Sequence, residues 1–231
     1  MDNVTSLRVA TSALLLALVG AAPAAAQTRE PKTQLSLGGI WSGGSGLGSA
    51  AATETRNQTG GDRYTLFRTR SEIEAAGGLE ARLTYWFTGA IGLEAGASWS
   101  VPRLATRITG DTEDAPDSTV RVDVAQYVID GRVVVRLNRL AMAQRRVVPF
   151  LFGGAGYLRQ LYEGNVLVAT GTAYHAGGGV FVWFQPPRDR WLKRTGARAD
   201  VRWTAHDGGV SLGGNGRRSL GVVSAGVVLQ F

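Results

Sequence analysis

The chain has 231 residues, 44% of them hydrophobic, and its 25 lysines and arginines outnumber 18 aspartates and glutamates to give a formal charge of +7. It contains no cysteine, which excludes a small fold held together by disulfide bonds. The positive net charge makes nucleic-acid binding a candidate function. No basic patch with interleaved aromatic residues accompanies the charge, so we expect no nucleic-acid partner.

The N-terminal residues have the pattern of an export signal. Residues 9–19 form a largely apolar run that follows one basic side chain, Arg8, and Ala24, Ala25 and Ala26 supply the small residues of a cleavage site. A run of this length is too short to cross a bilayer as a helix, which needs about 20 residues. We therefore predict a cleaved signal peptide over residues 1–26 and one mature domain over residues 27–231.

Alternating apolar and polar residues, the period of a β-strand, recur along the mature chain. In residues 79–87 the odd positions hold leucine, alanine and aromatic residues, whereas the even positions hold Glu80, Arg82, Thr84 and Trp86. No segment has a convincing helical period with caps, so we expect an all-β protein. Eight strands are predicted, with lengths near the 9 to 11 residues that cross a bilayer at a tilt. They cover residues 34–41, 79–87, 91–99, 126–137, 148–159, 172–184, 197–205 and 220–231.

The connections between the predicted strands alternate in character, as in a membrane barrel with short periplasmic turns and longer outer loops. The outer connections are predicted at residues 42–64, 102–119, 161–171 and 206–218, and the periplasmic ones at 88–89, 138–146 and 185–196. Residues 43–48 superficially suggest a phosphate-binding loop, but its lysine and following helix are missing. We therefore expect a flexible surface loop there.

Alternation alone does not show which stripe faces inward, because a soluble lipocalin-like barrel turns its apolar stripe toward a cavity. The positions of the aromatic residues favour a membrane barrel, since they gather at the two ends of the strands in two girdles. The outer girdle is predicted to hold Trp41, Trp99, Tyr157, Tyr174 and Trp203, and the inner one Tyr85, Phe87, Phe184 and Phe231. For the glycine-rich residues 148–159 and 172–184 the inward face stays open.

Four segments carry a resemblance to a known family: VPFLFGGAGY at residues 148–157, GGGV at 177–180, RADVR at 198–202, and the last ten residues. On these segments the chain looks like the eight-stranded outer-membrane barrels of the OmpA-like or opacity-protein type. The resemblance implies an outer membrane protein beta-barrel domain with variable surface loops and no catalytic residues. It also implies that Phe231 is an assembly signal, read by the barrel-insertion machinery of Gram-negative bacteria.

On this interpretation the polar stripes enclose a charged lumen. Four acids and five arginines are predicted to face inward, namely Glu80, Glu94, Asp130, Asp200, Arg82, Arg132, Arg136, Arg198 and Arg202. An eight-stranded barrel is just wide enough for side chains to fill, so a plug of ion pairs is the first hypothesis. A narrow, weakly anion-preferring pore is the second.

A catalytic role is a weaker alternative, because a few small outer-membrane barrels hold a His-Ser-acid site that acts on lipid A. The candidates are His175 and the group of His206, Asp207 and Ser211, but no catalytic motif surrounds any serine. Four acids within residues 111–117 could gather a calcium ion, although such clusters more often form a solvated loop. We expect no catalytic residues, no metal and no cofactor.

The sequence thus predicts a single antiparallel up-and-down transmembrane β-barrel of eight strands in the outer membrane. Its expected role is structural, surface-interacting or that of a narrow pore. Its expected partners are outer-membrane lipid, lipopolysaccharide, the barrel-assembly machinery and a surface partner at the outer loops. A periplasmic lipocalin-like carrier of a hydrophobic ligand is the main alternative.

Overall fold

The computed structural model describes residues 32–55, 63–113, 115–162, 166–184, 192–210 and 217–231. Twelve strands and one short 3₁₀ turn, Asn138–Leu140, lie within these ranges. The strands are β1 (Thr33–Ser42), β2 (Ser45–Thr55), β3 (Arg63–Ile73), β4 (Ala76–Trp86), β5 (Ile91–Ser100), β6 (Arg103–Thr109), β7 (Ser118–Asp123), β8 (Ala125–Arg136), β9 (Val147–Tyr162), β10 (Leu167–Trp183), β11 (Arg194–Gly208) and β12 (Arg217–Gln230). None of the described residues belongs to a helix that is long and apolar enough to cross a membrane.

Eight of the strands close into an antiparallel barrel in the order β1, β12, β11, β10, β9, β8, β5, β4. The first strand closes the cylinder, because Leu37 lies opposite Val227 of β12 on one side and Ala81 of β4 on the other. Each of the eight predicted strands corresponds to one of these eight. The predicted all-β, eight-stranded barrel is therefore confirmed.

The other four strands form a separate sheet in the order β2, β3, β6, β7. This extension sheet prolongs four neighbouring barrel strands beyond the rim: β1 continues as β2, β4 as β3, β5 as β6 and β8 as β7. The outer connections predicted at residues 42–64 and 102–119 do join barrel strands, but they also contain strands that the sequence did not predict. The flexible loop expected at residues 43–48 is wrong, because β2 begins at Ser45. Strand β2 is made largely of small residues without alternation, and its order comes from backbone pairing with β3.

A β-bulge lies where β3 joins β4. Gly78 pairs with Ser100 and Ile73 pairs with Leu104, so five steps along one strand face four steps along the other. The extra residue reverses the relation between residue number and side. Odd-numbered side chains of β4 point out of the barrel, whereas the even-numbered Arg68, Arg70 and Glu72 of β3 lie on the outward face of the extension sheet.

The barrel keeps its apolar stripe outside and its polar stripe inside. Leu83 is 53% exposed, whereas the neighbouring Arg82 is 2% exposed and Thr84 is fully buried. The same contrast holds on β5, where Leu93 is exposed and Glu94 is buried. The sequence left open which face of the glycine-rich strand β9 points inward. In the structure Phe150 and the other even-numbered residues of β9 point inward.

Candidate functional site

The middle of the lumen is built around Glu94, whose side chain is fully buried. Its neighbour on β8, Arg132, donates from Nε to Glu94 Oε1 over 2.5 Å. From the far side of the barrel, Arg198 Nη1 donates to Glu94 Oε2 over 2.7 Å, and Thr84 Oγ1 donates to the same oxygen over 2.5 Å. A carboxylate removed from water needs such partners to offset its lost hydration.

A second acid, Glu80, lies beside this centre. Arg82 Nη2 donates to Glu80 Oε2 over 2.6 Å, and Arg202 Nη1 reaches the same oxygen over 3.0 Å. Asp200 accepts from Arg198 Nε over 3.1 Å, and Asp130 lies 3.5 Å from Arg82 Nη1. Arg82 Nη1 also lies 3.6 Å from Glu94 Oε1, which joins the four acids and their arginines into one network across four strands. The network comprises Glu80, Arg82, Glu94, Asp130, Arg132, Arg198, Asp200 and Arg202.

Of the nine lumen residues that the sequence predicts, Arg136 has a different setting. It is the last residue of β8, where its guanidinium stacks 3.5 Å above the ring of Trp86 and donates to Gln34 Oε1 over 3.0 Å. The flat, delocalised cation of arginine suits such a position on an aromatic face. Arg136 therefore belongs to an aromatic layer below the charge network.

Sequence reasoning missed this aromatic layer, which fills the half of the lumen farther from the extension sheet. The rings of Phe150 and Phe181 stack with centroids 4.3 Å apart. The layer comprises Trp86, Phe150, Phe152, Phe181 and Trp183. The sequence nevertheless contained a signal for it. If Tyr157 and Tyr174 face outward in the predicted girdle, the alternation of side chains turns Phe150 and Phe152 of β9 and Phe181 of β10 inward.

Side chains fill the lumen at mid-height, where Glu94 is 0% and Arg132 is 1% exposed. A cavity of about 10 Å³ lies between Glu80, Arg198, Ser36 and Ser224. This is room for about one water molecule. Both layers of the interior are thus occupied by side chains in the described part of the barrel.

The end of the lumen nearest the extension sheet contains the two histidines but not the suggested catalytic group. His175 and His206 are both buried inside the barrel. Asp207 follows His206 on β11 and therefore points to the other side of the sheet, where its carboxylate lies 3.4 Å from Arg217. Ser211 lies outside the described residues. The structure does not bring His206 and Asp207 together.

The acidic segment at residues 111–117 forms local contacts instead of a cluster. Asp111 accepts a hydrogen bond from the backbone N–H of Glu113 over 2.9 Å, and Asp117 pairs with Arg107 over 3.0 Å. Asp114 lies outside the described residues. Among the residues that are described, no group of three histidines or acids is placed to hold a metal ion.

The predicted girdle residues lie on the outer surface of the barrel. Their exposed fractions run from 42% for Phe231 to 62% for Phe87. The full set is Trp41, Trp99, Tyr157, Tyr174 and Trp203 toward the strand ends nearest the extension sheet, and Tyr85, Phe87, Phe184 and Phe231 toward the opposite ends. Leu37, Leu83 and Val201 are exposed between them, so an apolar band surrounds the cylinder.

A closed antiparallel barrel with an apolar outer band and a charged interior defines an integral outer-membrane β-barrel. Over residues 11–231 the chain matches the family model described as "Outer membrane protein beta-barrel domain", and it belongs to this family. The predicted outer-membrane location is confirmed. The lipocalin-like alternative is wrong, because a soluble carrier would bury the apolar stripe that is exposed here. No curated protein matches the chain.

Three solved structures of outer-membrane proteins are similar to this chain. Ail, the attachment invasion locus protein of Yersinia pestis, is 15% identical, with 87% of this chain and 99% of Ail covered and a TM-score of 0.41. Neisserial surface protein A is also 15% identical, with 86% and 97% covered and a TM-score of 0.46. OprG from Pseudomonas aeruginosa is 12% identical, with 87% and 97% covered and a TM-score of 0.43.

Proposed function

We propose that the protein is a non-conducting membrane anchor that presents the extension sheet at the cell surface. Its role is then structural and surface-interacting, and it has no catalytic residues. The observation that carries this proposal is the filled lumen, in which Glu94 and Arg132 are buried and the cavity beside Glu80 holds about one water molecule.

The attachment of the extension sheet to the barrel supports a presenting role. Leu47 of β2 and Ile73 of β3 are buried against Val210, which follows β11. Leu104, Tyr162 and Ala169 pack around these three side chains. This seam of Leu47, Ile73 and Val210 ties residues from both halves of the chain together, so the extension sheet is held as a shaped surface.

The contacts with the envelope follow from the same arrangement. The two aromatic girdles are proposed to lie at the two membrane interfaces, with lipopolysaccharide around the outer one. Phe231, whose backbone N–H donates to Thr33 O over 2.9 Å, is proposed to act as the signal for the barrel-assembly machinery. Residues 1–26 are proposed to be removed as a signal peptide during export.

Labelling of single cysteines tests the presentation of the sheet, because the chain has none of its own. Ser118→Cys on β7 should react with a membrane-impermeant maleimide on intact cells. Arg139→Cys, in the periplasmic 3₁₀ turn, should react only after the outer membrane is permeabilised. The reverse pattern, or equal labelling of both variants on intact cells, would contradict the proposal.

A narrow anion-preferring pore is the second candidate, since five arginines face four acids in the predicted lumen set. Planar-bilayer recordings separate the two functions. A filled lumen should give no steady current above that of the bare bilayer. A stable anion-selective current that disappears in Arg132→Gln would support the pore and overturn the non-conducting anchor.

A further inference from the structure

The outward face of the extension sheet gathers arginines that lie far apart in the sequence. Arg70 of β3 pairs directly with Arg107 of β6, so both side chains lie on one face. Asp123 pairs with Arg103 and Ala105 with Arg121, which extends this face to β7. We call this surface the basic face. It comprises Arg68, Arg70, Arg103, Arg107 and Arg121 of the extension sheet together with the adjoining Arg159 of β9.

The acids on this side do not neutralise the basic face. Arg103, Arg107 and Arg121 pair with Asp123, Asp117 and Glu74 over 3.3, 3.0 and 2.9 Å, but all three guanidinium side chains remain more than half exposed. Exposed pairs of this kind contribute about 0–1 kcal/mol, so they yield readily to a stronger anion. Glu72 adds one more acid to the face.

Three of the arginines have no acidic partner in the described part of the chain. Arg68, Arg70 and Arg159 are exposed, and no ion pair joins them to another described residue. Arg70 moreover lies directly opposite Arg107, and like charges in such a cross-strand pair are destabilising. An anion bound between the two guanidinium groups would remove this repulsion, and phosphate matches the bidentate geometry of arginine.

The height of the basic face relative to the membrane indicates where the bound phosphate would come from. Arg159 lies opposite Tyr127, which pairs with Trp99 of the outer girdle, so the face begins at the level of the aromatic residues. At about 3.3 Å per residue and a tilt of about 40°, Arg103 lies roughly 10 Å and Arg107 roughly 20 Å beyond Trp99. The face therefore rises from the membrane interface through the headgroup layer of the outer leaflet.

We propose that the basic face binds the phosphate groups of lipopolysaccharide in the outer leaflet. This inference rests on the proposed display of the extension sheet outside the cell. Arg159 and Arg103 would contact phosphates near the lipid anchor, and Arg70 and Arg107 would share a phosphate farther out in the saccharide. Such contacts hold the sheet upright against the layer of sugars that surrounds the barrel.

Isothermal titration calorimetry tests the proposal by measuring the binding of rough lipopolysaccharide to the purified full-length protein in detergent. Dephosphorylated lipopolysaccharide should bind wild-type protein at least about tenfold more weakly than the intact form, because charge-assisted hydrogen bonds are lost. The double variant Arg70→Gln/Arg107→Gln should lose about tenfold in affinity for intact lipopolysaccharide. The matched control Arg139→Gln/Arg146→Gln removes the same charge at the periplasmic end and should bind within about twofold of wild type.

Equal binding of intact and dephosphorylated lipopolysaccharide would overturn the proposal, and this arm uses wild-type protein alone and does not depend on how the variants fold. Equal losses in the double variant and its control would also overturn it, because net charge would then explain the effect. The maleimide and conductance experiments decide the proposed function separately. Normal labelling of Ser118→Cys with unchanged binding in Arg70→Gln/Arg107→Gln would refute only the phosphate contact.

Discussion

Glu94 and Arg132 lie directly opposite each other on β5 and β8, and their side chains meet at the centre of the barrel, where both are buried. Each is costly to bury alone, and each offsets the cost of the other. This pair is the centre of a polar interior that an apolar outer band encloses. The same balance makes the interior sensitive to the loss of any one charge.

Replacing Glu94 with glutamine should destabilise the barrel by about 3–5 kcal/mol, because Arg132, Arg198 and Arg82 would lose their shared counter-charge in a buried site. Urea unfolding in lipid vesicles, followed by tryptophan fluorescence, measures the change. Asp123→Asn, which breaks the exposed pair with Arg103, is the control and should cost less than about 1 kcal/mol. Similar costs for both variants would contradict the buried network.

Leu83→Arg places a charge on the outer surface of β4 within the apolar band. It should reduce stability by about 2–4 kcal/mol and lower the yield in the outer membrane. Val120→Arg is a close control, because Val120 has the same 53% exposure but lies on β7 beyond the rim. If both substitutions reduced folding equally, exposure to lipid would not explain the effect at Leu83.

Gly96→Ala should disturb the charge network by overpacking. A Cβ atom at this inward position would lie 2.6 Å from Asp130 Oδ1 and 2.8 Å from Arg82 Nη1, so one of these groups would have to move. The expected loss is about 1–3 kcal/mol. Gly131→Ala on the neighbouring strand meets no heavy atom within 4 Å and should be nearly neutral in the same unfolding assay. A neutral Gly96→Ala would mean that the network has spare room.

Ile73→Ala should loosen the extension sheet while leaving the barrel folded, because it removes a buried side chain from the seam with Leu47 and Val210. Limited trypsin digestion measures this, since Arg68 and Arg70 are exposed on the adjoining part of β3. Faster cleavage within β3, with an unchanged far-ultraviolet spectrum of the barrel, is the expected result. Val120→Ala should leave the cleavage rate as in wild type, whereas equal cleavage of wild type and Ile73→Ala would show that the seam does not hold the sheet.

The eight barrel strands were predictable because each has to alternate between hydrocarbon and a polar interior, and residues 79–87 record that alternation directly. Strand β2 was not predictable from the sequence, because its small residues do not alternate between two environments. Its strand conformation depends on backbone pairing with β3. The basic face was hidden for a related reason. A period-two count carried upward from Leu79 would turn Arg68 and Arg70 inward, and only the bulge between β3 and β4 reverses their side.

The contact between Glu94 and Arg198 joins residues 104 positions apart, from β5 and β11. During synthesis and insertion, one of the two arginines bonded to Glu94 therefore arrives only with β11, the next-to-last strand. Until then Arg132 of β8 and Arg82 of β4 are the basic residues beside Glu94, and its second carboxylate oxygen has no arginine partner. The ion pairs of the interior are therefore complete only when β11 is in place beside β12, the strand that closes the cylinder.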